Sequence, residues 1–308
     1  MRDEFVEELT KLAAEDPSIV LITGDLGFGV LTSFAEKFPD QFINAGVAEQ
    51  NMTALACGLA LEGRKVYTYS IGNFATLRCL EQIRNDVCYH DCDVTIVSVG
   101  GGFSYGQLGV SHFATEDLAI MRAIPNIAVI APADKWETRV LVRQMAKIKG
   151  PKYLRLDKGD GQSNIDVNSV KLGEPRIVKY GTDITLISIG AILSEVLRSA
   201  DQLSAKGISS EVITLNSLKP MNFDQIFSSI TKTKRVICVE EHTKIGGLSG
   251  AVAESLLCNG VADFTFASIG LNDEFPTIVG DQDFLRQRYR IDSASITKAA
   301  FELYSKSK

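Results

Sequence analysis

The chain has 308 residues, 45% of them hydrophobic and 23% charged, which is the composition of a folded globular protein rather than a disordered one. A formal net charge of -6 argues against nucleic acid as the main partner, because no excess of lysine and arginine remains to neutralise phosphates. The sequence contains no apolar run of the roughly 18 residues that a membrane-spanning helix needs. The N-terminal residues lack a signal-peptide pattern, and six cysteines in a chain of this length indicate reduced thiols, so we expect a cytoplasmic protein.

Short runs rich in β-branched residues alternate with helical patterns along the first half of the chain. The runs predict buried strands at residues 19–22, 66–69, 94–99, 127–130 and 153–156. Between them, Met52, Ala56 and Leu59 share one helical face, and Asp134 followed by Glu137 predicts a capped helix start. A further helix is expected around residues 75–89. Alternation of this kind favours parallel sheets joined by right-handed crossovers.

A polar, glycine-rich stretch separates this half from a second alternating unit. The second unit has predicted strands at 184–189, 211–215, 235–239 and 264–269, with helices near 193–204, 223–230 and 248–258. The length of the chain also fits about two domains. We therefore predict two doubly wound α/β domains, at residues 1–160 and 173–308, joined by a linker at 161–172.

Three segments that follow predicted strands carry residues suited to binding or catalysis. Glu49 opens an apolar helix after a short strand at residues 42–43, where ligands bind in open α/β sheets, although a carboxylate also stabilises a helix start without any function. Phe74 follows the strand at 66–69, and is either a core residue or an aromatic face for a flat ligand. His112 ends a glycine-rich loop that begins at Gly100, a position suited to acid–base work or substrate contact.

Two other motifs carry less weight. The loose spacing of Gly100, Gly102 and Gly106 lacks the helix and the downstream acid of a dinucleotide-binding fingerprint. Cys88, His90 and Cys92 supply three nearby candidate ligands where a closed zinc site usually takes four, so we assign no metal to this chain.

Taken in order, these segments resemble the C-terminal half of transketolase-like thiamine diphosphate enzymes. In that family a pyrimidine-binding domain is followed by the transketolase C-terminal domain, and the match is nearest to split transketolases, whose two halves are separate chains. The resemblance covers nearly the whole chain and is carried by residues 23–26, 46–51, 74–78, 81–85, 121–126, 131–134 and 240–248.

The resemblance implies cofactor contacts in the first domain. Glu49 matches the glutamate that hydrogen-bonds a ring nitrogen of the aminopyrimidine and so promotes formation of the carbon nucleophile. Phe74 matches the aromatic residue that stacks on the pyrimidine, and Ile71 an apolar wall beside it. Asp25 and Leu26 lie in the cofactor-facing turn. Arg78, at the end of the Phe74 motif, completes this predicted set.

The resemblance also implies substrate contacts, and here the sequence departs from the family pattern. His112 and Gln107 are expected to contact the substrate, and Arg155 matches an arginine that holds the phosphate of the acceptor. Leu108, however, replaces a carboxylate that would bind a sugar hydroxyl, and Phe113 replaces a glutamine. Because a site that lacks such a polar group no longer selects for the hydroxyl, we expect an unusual or deoxy sugar.

The resemblance finally implies a partner chain. The family holds the diphosphate and Mg²⁺ through a Gly-Asp-Gly motif followed by Asn-Asn, and Gly159-Asp160-Gly161 has no such Asn-Asn after it. We expect a separate diphosphate-binding subunit, shared active sites and a heterotetramer with two copies of each chain. The alternatives are the β subunit of a 2-oxo acid dehydrogenase, an enzyme of the deoxyxylulose phosphate synthase type, and a non-catalytic subunit that keeps the fold.

Overall fold

The computed structural model describes residues 1–158 and 169–306, which form two sheets with helices on both faces. The strands are β1 (Ile19–Thr23), β2 (Phe42–Asn44), β3 (Lys65–Ile71), β4 (Val94–Val99), β5 (Ala128–Ile130), β6 (Lys152–Leu156), β7 (Arg176–Lys179), β8 (Ile184–Ile189), β9 (Ser210–Leu215), β10 (Ser217–Lys219), β11 (Arg235–Thr243) and β12 (Thr265–Leu271).

The helices connect these strands and cover the two sheets. They are α1 (Arg2–Glu15), α2 (Thr32–Lys37), α3 (Glu49–Leu61), α4 (Gly72–Ala75), α5 (Leu80–Gln82), α6 (Asp117–Ala123), α7 (Lys135–Met145), α8 (Leu193–Ser204), α9 (Asp224–Thr233), α10 (Leu248–Cys258), α11 (Gln282–Arg288) and α12 (Ser293–Lys306). Within the described residues, none of the helices has the length and apolar character needed to cross a membrane.

Central strands are buried on both faces, as their continuous apolar runs predict. Every residue of β1, β4 and β8 is buried, because helices cover the sheet on either side. The first sheet has the order β10-β5-β6-β4-β3-β1-β2 and the second the order β12-β11-β8-β9-β7. The predicted cap of α7 is also present, since the Asp134 side chain accepts a hydrogen bond from the Glu137 amide at 2.8 Å.

Two edge strands depart from the expected parallel arrangement. β7 runs antiparallel to β9, and β10 runs antiparallel to β5. β10 comes from the second half of the chain, yet it extends the first sheet, where the Ser217 hydroxyl donates to the Val129 carbonyl at 2.9 Å. Both strands are only three or four residues long, so they carry no apolar run that the sequence could have revealed.

The segment expected to form one helix at residues 75–89 is instead a series of short turns. α4 ends at Ala75, a 3₁₀ turn covers Leu77–Cys79, and a π-helical turn covers Ile83–Cys88. Side chains compete for the helical carbonyls here, since the Thr76 hydroxyl donates to the Gly72 carbonyl. The interruption matters because Arg78 lies in this segment and Phe74 lies in α4 directly before it.

The predicted linker coincides largely with residues outside the described ones. Residues 161–168 of that linker, and the whole Gly159-Asp160-Gly161 motif, are not among the described residues. The domain limits drawn from sequence therefore stay a prediction. At the start of the second described range, the Val170 carbonyl accepts a hydrogen bond from Gln144 of α7 at 2.8 Å.

Candidate active site

The candidate residues of the first domain meet at one edge of the first sheet. β4, β3, β1 and β2 are adjacent and mutually parallel, so their carboxyl ends lie side by side. The loop after β2 leads to Glu49, the loop after β3 carries Phe74, and the loop after β4 ends at His112. This edge is where ligands bind in open α/β sheets.

Glu49 is the first residue of α3 and its side chain is only 3% exposed. One carboxylate oxygen accepts a hydrogen bond from the Arg78 guanidinium at 2.8 Å. The carboxylate stem lies against the main chain at Gly24, where an added Cβ would stand 3.2 Å from Glu49 Cγ. A buried carboxylate at a helix N-terminus, held by one cation, can accept a further N–H donor through its other oxygen.

Phe74 lies between two of the predicted residues. The Arg78 guanidinium carbon stands 4.4 Å from the centre of the Phe74 ring. The His112 ring approaches Phe74 edge-on, with 5.1 Å between ring centres and 69° between planes. The structure thus brings four of the predicted residues together: Glu49, Phe74, Arg78 and His112. The first and last of them are 63 positions apart in the sequence.

The turn after β1 is held by side-chain hydrogen bonds. Asn44 exchanges two of them with Asp25, accepting from its amide at 3.1 Å and donating to its carboxylate at 3.0 Å. Asp25 has a left-handed backbone with φ of 57°. The Leu26 carbonyl accepts from the Thr23 hydroxyl, and Ile71 ends β3 half-buried. These three predicted cofactor residues line the same sheet edge as Glu49.

The glycine-rich loop after β4 presents His112, Gln107 and Leu108. Gln107 and Leu108 are exposed, Leu108 at 55%, and the Ser111 hydroxyl is 3.0 Å from His112 Nδ1. Phe113, which replaces the glutamine of the family pattern, does not face outward. It is buried edge-on against Phe103, with 5.1 Å between ring centres.

The Arg155 side chain is buried among hydrogen-bond partners in this structure. Its side chain is 3% exposed, and its nitrogens donate to Asp157, to Asp117 and to the Glu241 carbonyl at 2.9, 3.4 and 3.0 Å. Burial opposes its charge, but Asp117 and Asp157 outweigh burial and raise the pKa of the guanidinium. A phosphate would reach this group only by displacing these partners, and the substrate role of Arg155 stays a prediction.

The loop is clamped from the second domain, by residues that sequence reasoning did not select. The Glu241 carboxylate accepts from the Phe103 amide at 2.6 Å, from Gln282 at 2.8 Å and from Arg286 at 2.6 Å. A Cβ added at Gly102, whose φ is 58°, would stand 2.5 Å from Glu241, so this contact requires glycine. Glu241 belongs to the 240–248 segment that carries the family resemblance, but nothing local in the sequence indicated that it would contact this loop.

No cluster of three or more histidine, cysteine, aspartate or glutamate residues is placed to hold a metal ion within residues 1–158 and 169–306. The three residues Cys88, His90 and Cys92 do not form such a site. Cys92 lies instead beside Cys57, with 3.5 Å between the two sulfur atoms, and burial raises the pKa of the Cys92 thiol to about 12.

Family models match both halves of the chain. The transketolase pyrimidine-binding domain matches residues 1–163, and the transketolase C-terminal domain matches residues 173–296. The chain belongs to the transketolase family. The predicted pair of doubly wound α/β domains, with the pyrimidine-binding domain first, is therefore confirmed.

Relatives of similar length are transketolase sections and subunits. A putative transketolase C-terminal section from Methanocaldococcus jannaschii is 40% identical, over 98% of this chain and 95% of that protein. One of the subunits of an apulose-4-phosphate transketolase from Phocaeicola vulgatus is 34% identical, over 99% and 97%. A 6-deoxy-6-sulfo-D-fructose transketolase subunit from Clostridium sp. strain MSTE9 is 31% identical, over 98% and 94%.

A solved structure agrees with these relatives. It is described as a split gene transketolase in an inactive beta4 tetramer, and it matches with a TM-score of 0.89 and 34% identity, over 99% of this chain and 98% of that chain. The resemblance to the C-terminal subunit of a split, transketolase-like enzyme is confirmed. The roles of the individual site residues stay predictions.

Proposed function

We propose that this chain is one subunit of a thiamine diphosphate-dependent transketolase that transfers a two-carbon ketol unit from a ketose-type donor to an aldehyde acceptor. The observation that carries the proposal is the pairing of a 3% exposed carboxylate, Glu49, with the half-buried ring of Phe74 at the ligand-binding edge of the sheet. The family membership of the chain supports the same reaction class.

The residues at this edge fit the aminopyrimidine part of the cofactor. The Phe74 ring offers a face for stacking, and the Glu49 carboxylate offers an acceptor for a ring N–H. When bound, thiamine diphosphate supplies a carbon nucleophile that attacks the carbonyl of the ketose. Glu49 would hold and move the proton at the ring nitrogen, while Ile71 and Leu26 would exclude water from one side.

Substrate contacts are proposed for His112 and Gln107. Both lie on the loop after β4, and His112 stands at the edge of Phe74, next to the proposed cofactor position. An imidazole can donate a hydrogen bond to a sugar oxygen and can move a proton at it. Gln107 is exposed on the same loop, where it can meet a substrate that approaches from outside.

An atypical sugar is the proposed substrate class. Leu108 is exposed beside Gln107, so the loop presents an apolar side chain where a carboxylate would bind a hydroxyl. Two relatives are named for apulose 4-phosphate and 6-deoxy-6-sulfo-D-fructose, which are not ordinary pentose phosphates. These names support a less common donor or acceptor for this chain.

The diphosphate and Mg²⁺ are proposed to be held by a partner chain in the cytoplasm. The two matched domains are the pyrimidine-binding and C-terminal domains, and the relatives are named as a section or as subunits. Oxygen ligands for a hard cation would come from the partner. We propose a heterotetramer with two copies of each chain and active sites at the interface.

Reconstitution tests this function. The chain is mixed with a candidate diphosphate-domain subunit, thiamine diphosphate and Mg²⁺, and ketol transfer between sugar phosphates is measured. We expect activity only when both chains are present. Full activity of this chain alone would contradict the partner proposal, and release of carbon dioxide from a 2-oxo acid without ketol transfer would replace it with a 2-oxo acid dehydrogenase.

A further inference from the structure

Arg78 makes two contacts, and each lies where the proposed cofactor would bind. Its guanidinium donates to Glu49 at 2.8 Å and lies over the Phe74 ring at 4.4 Å. A guanidinium is flat, carries N–H donors in its plane and stacks on aromatic faces. An aminopyrimidine has the same combination of a flat face and an N–H at its edge. A pyrimidine stacked where the guanidinium now lies would therefore displace it from the ring face and from the Glu49 oxygen that it holds.

We propose that Arg78 is a placeholder for the aminopyrimidine, and that cofactor binding displaces it from Glu49 and Phe74. This inference rests on the proposed function, because it takes thiamine diphosphate as the ligand of Glu49. The guanidinium covers the one face of Phe74 that lies beside its hydrogen bond to Glu49, and the inference places the pyrimidine on that face. Both cannot lie on that face together.

Without a bound cofactor, the buried Glu49 carboxylate requires another partner. Glu49 is 3% exposed, and a buried carboxylate without a partner is strongly destabilising. Arg78 neutralises that charge while its own side chain remains 45% exposed. The chain can therefore fold before it meets the cofactor without leaving an unpaired charge in the site.

The position of Arg78 permits its departure. It lies in the short 3₁₀ turn Leu77–Cys79 rather than in a long helix. Among the described residues, Glu49 is the one side chain to which it donates. Arg155 provides the contrast, since it is 3% exposed and donates to three separate groups. An ion pair whose cation is 45% exposed, together with one cation–π contact, leaves Arg78 free to exchange these partners for water when a ligand takes its place.

The test measures cofactor binding rather than turnover. The complex of this chain with its diphosphate-domain partner is titrated with thiamine diphosphate in the presence of Mg²⁺, by calorimetry and by the rise in melting temperature. We expect Arg78→Gln and Arg78→Ala to bind the cofactor about ten-fold more tightly than the unchanged protein, because no placeholder must leave. Arg78→Lys keeps the charge but loses the flat group, so its affinity should fall between those of the unchanged protein and Arg78→Gln.

A matched control is Arg64→Ala at the opposite end of β3. The Arg64 side chain is exposed and, among the described residues, donates only to the Pro17 carbonyl, so its removal should leave cofactor affinity unchanged. Equal or weaker binding by both Arg78→Gln and Arg78→Ala would overturn the placeholder role. It would show that Arg78 stays on Glu49 when the cofactor is bound.

Two further results separate this inference from the proposed function. If the unchanged complex does not bind thiamine diphosphate, the proposed function fails; if it binds and the Arg78 variants bind no better, only the placeholder fails. Should the variants not fold, a structure of the unchanged complex with cofactor decides the question. The inference requires that Arg78 no longer contacts Glu49 there, and an intact 2.8 Å contact would contradict it.

Discussion

Each of the two sheets has a buried glutamate near the carboxyl ends of its strands, and the two glutamates differ in the partners that they bind. In the first sheet, Glu49 has one side-chain partner among the described residues, the half-exposed Arg78. In the second sheet, Glu240 near the end of β11 accepts from the Leu248 amide, the Ser249 amide and the Ser249 hydroxyl at 2.7, 2.9 and 2.7 Å. Both carboxylates are buried, so burial does not distinguish a functional acid from a structural one. The difference lies in whether the partners can be replaced.

Residues at the carboxyl edge of the second sheet hold a loop that follows a strand of the first sheet. Glu240 holds the N-terminus of α10, and Glu241 reaches across to the Phe103 amide of the glycine-rich loop. His242 is also fully buried, where its Nδ1 is 2.7 Å from the Thr243 carbonyl. The first domain thus carries the residues of the proposed active site, and Glu241 of the second domain holds the loop that ends at His112. Four substitutions test this difference between the two edges.

Replacing Glu49 by glutamine should have the largest effect. A neutral amide cannot take the proton that the carboxylate handles, so kcat of the reconstituted complex should fall about 10²- to 10⁴-fold. Size-exclusion chromatography should show that the subunits still assemble. Turnover that survives the substitution would mean that Glu49 is not the acid–base residue.

Replacing Glu240 by glutamine should lower the stability of the chain and leave kcat nearly unchanged, in contrast to the substitution of Glu49. Charge-assisted hydrogen bonds to the start of α10 would be lost or weakened, which lowers the free energy of unfolding by about 2 to 3 kcal/mol. Urea denaturation of the chain measures this loss. The kcat of the folded complex should stay near that of the unchanged protein, and a large fall in kcat without a stability loss would erase the contrast between the two edges.

Replacing Glu241 by alanine should reduce activity less than Glu49→Gln does and more than Glu240→Gln does. Without this carboxylate the Phe103 amide loses its acceptor and the loop carrying His112 shifts, so kcat/KM should fall about 10- to 100-fold. Hydrogen exchange of residues 100–113 should increase, which separates a positioning role from general destabilisation. Glu241→Gln, which retains one acceptor oxygen, should restore part of the activity. Unchanged exchange in the loop would argue against the clamp.

Replacing Leu108 by aspartate should have the smallest effect. A new hydrogen bond to a sugar hydroxyl is worth about 1 kcal/mol, which shifts the preference towards ordinary ketose phosphates about five-fold. The ratio of kcat/KM for an ordinary and an unusual sugar phosphate measures the shift. Leu108→Asn serves as a neutral polar control. An identical substrate profile would contradict the proposed role of the loop.

Much of the site could be predicted because it depends on local order along the chain. Glu49, Phe74 and His112 each follow a strand of the same parallel sheet, and neighbouring carboxyl ends must lie together. The ion pair between Arg78 and Glu49 could not be predicted in the same way. Its two residues are 29 positions apart, and sequence alone does not set the direction of a long side chain.

Arg155 shows what the family resemblance does not supply. The resemblance matches it to an arginine that holds a phosphate, whereas in this structure its side chain is buried and meets Asp117 and the Glu241 carbonyl. These partners are 38 and 86 positions away. Asp117 comes from the same domain and the Glu241 carbonyl from the other, so tertiary packing within and between the domains brings these groups to Arg155.

Apolar runs, helix starts and strand ends are local properties of the chain, and they indicated the two α/β domains. Matching motifs indicated the family and the residues around Glu49. The remaining contacts follow from tertiary packing. It brought β10 into the sheet of the first half, buried Arg155 among carboxylates, and set Glu241 against an amide 138 positions away. Such contacts depend on which surfaces of two separate cores meet, and no local pattern specifies that.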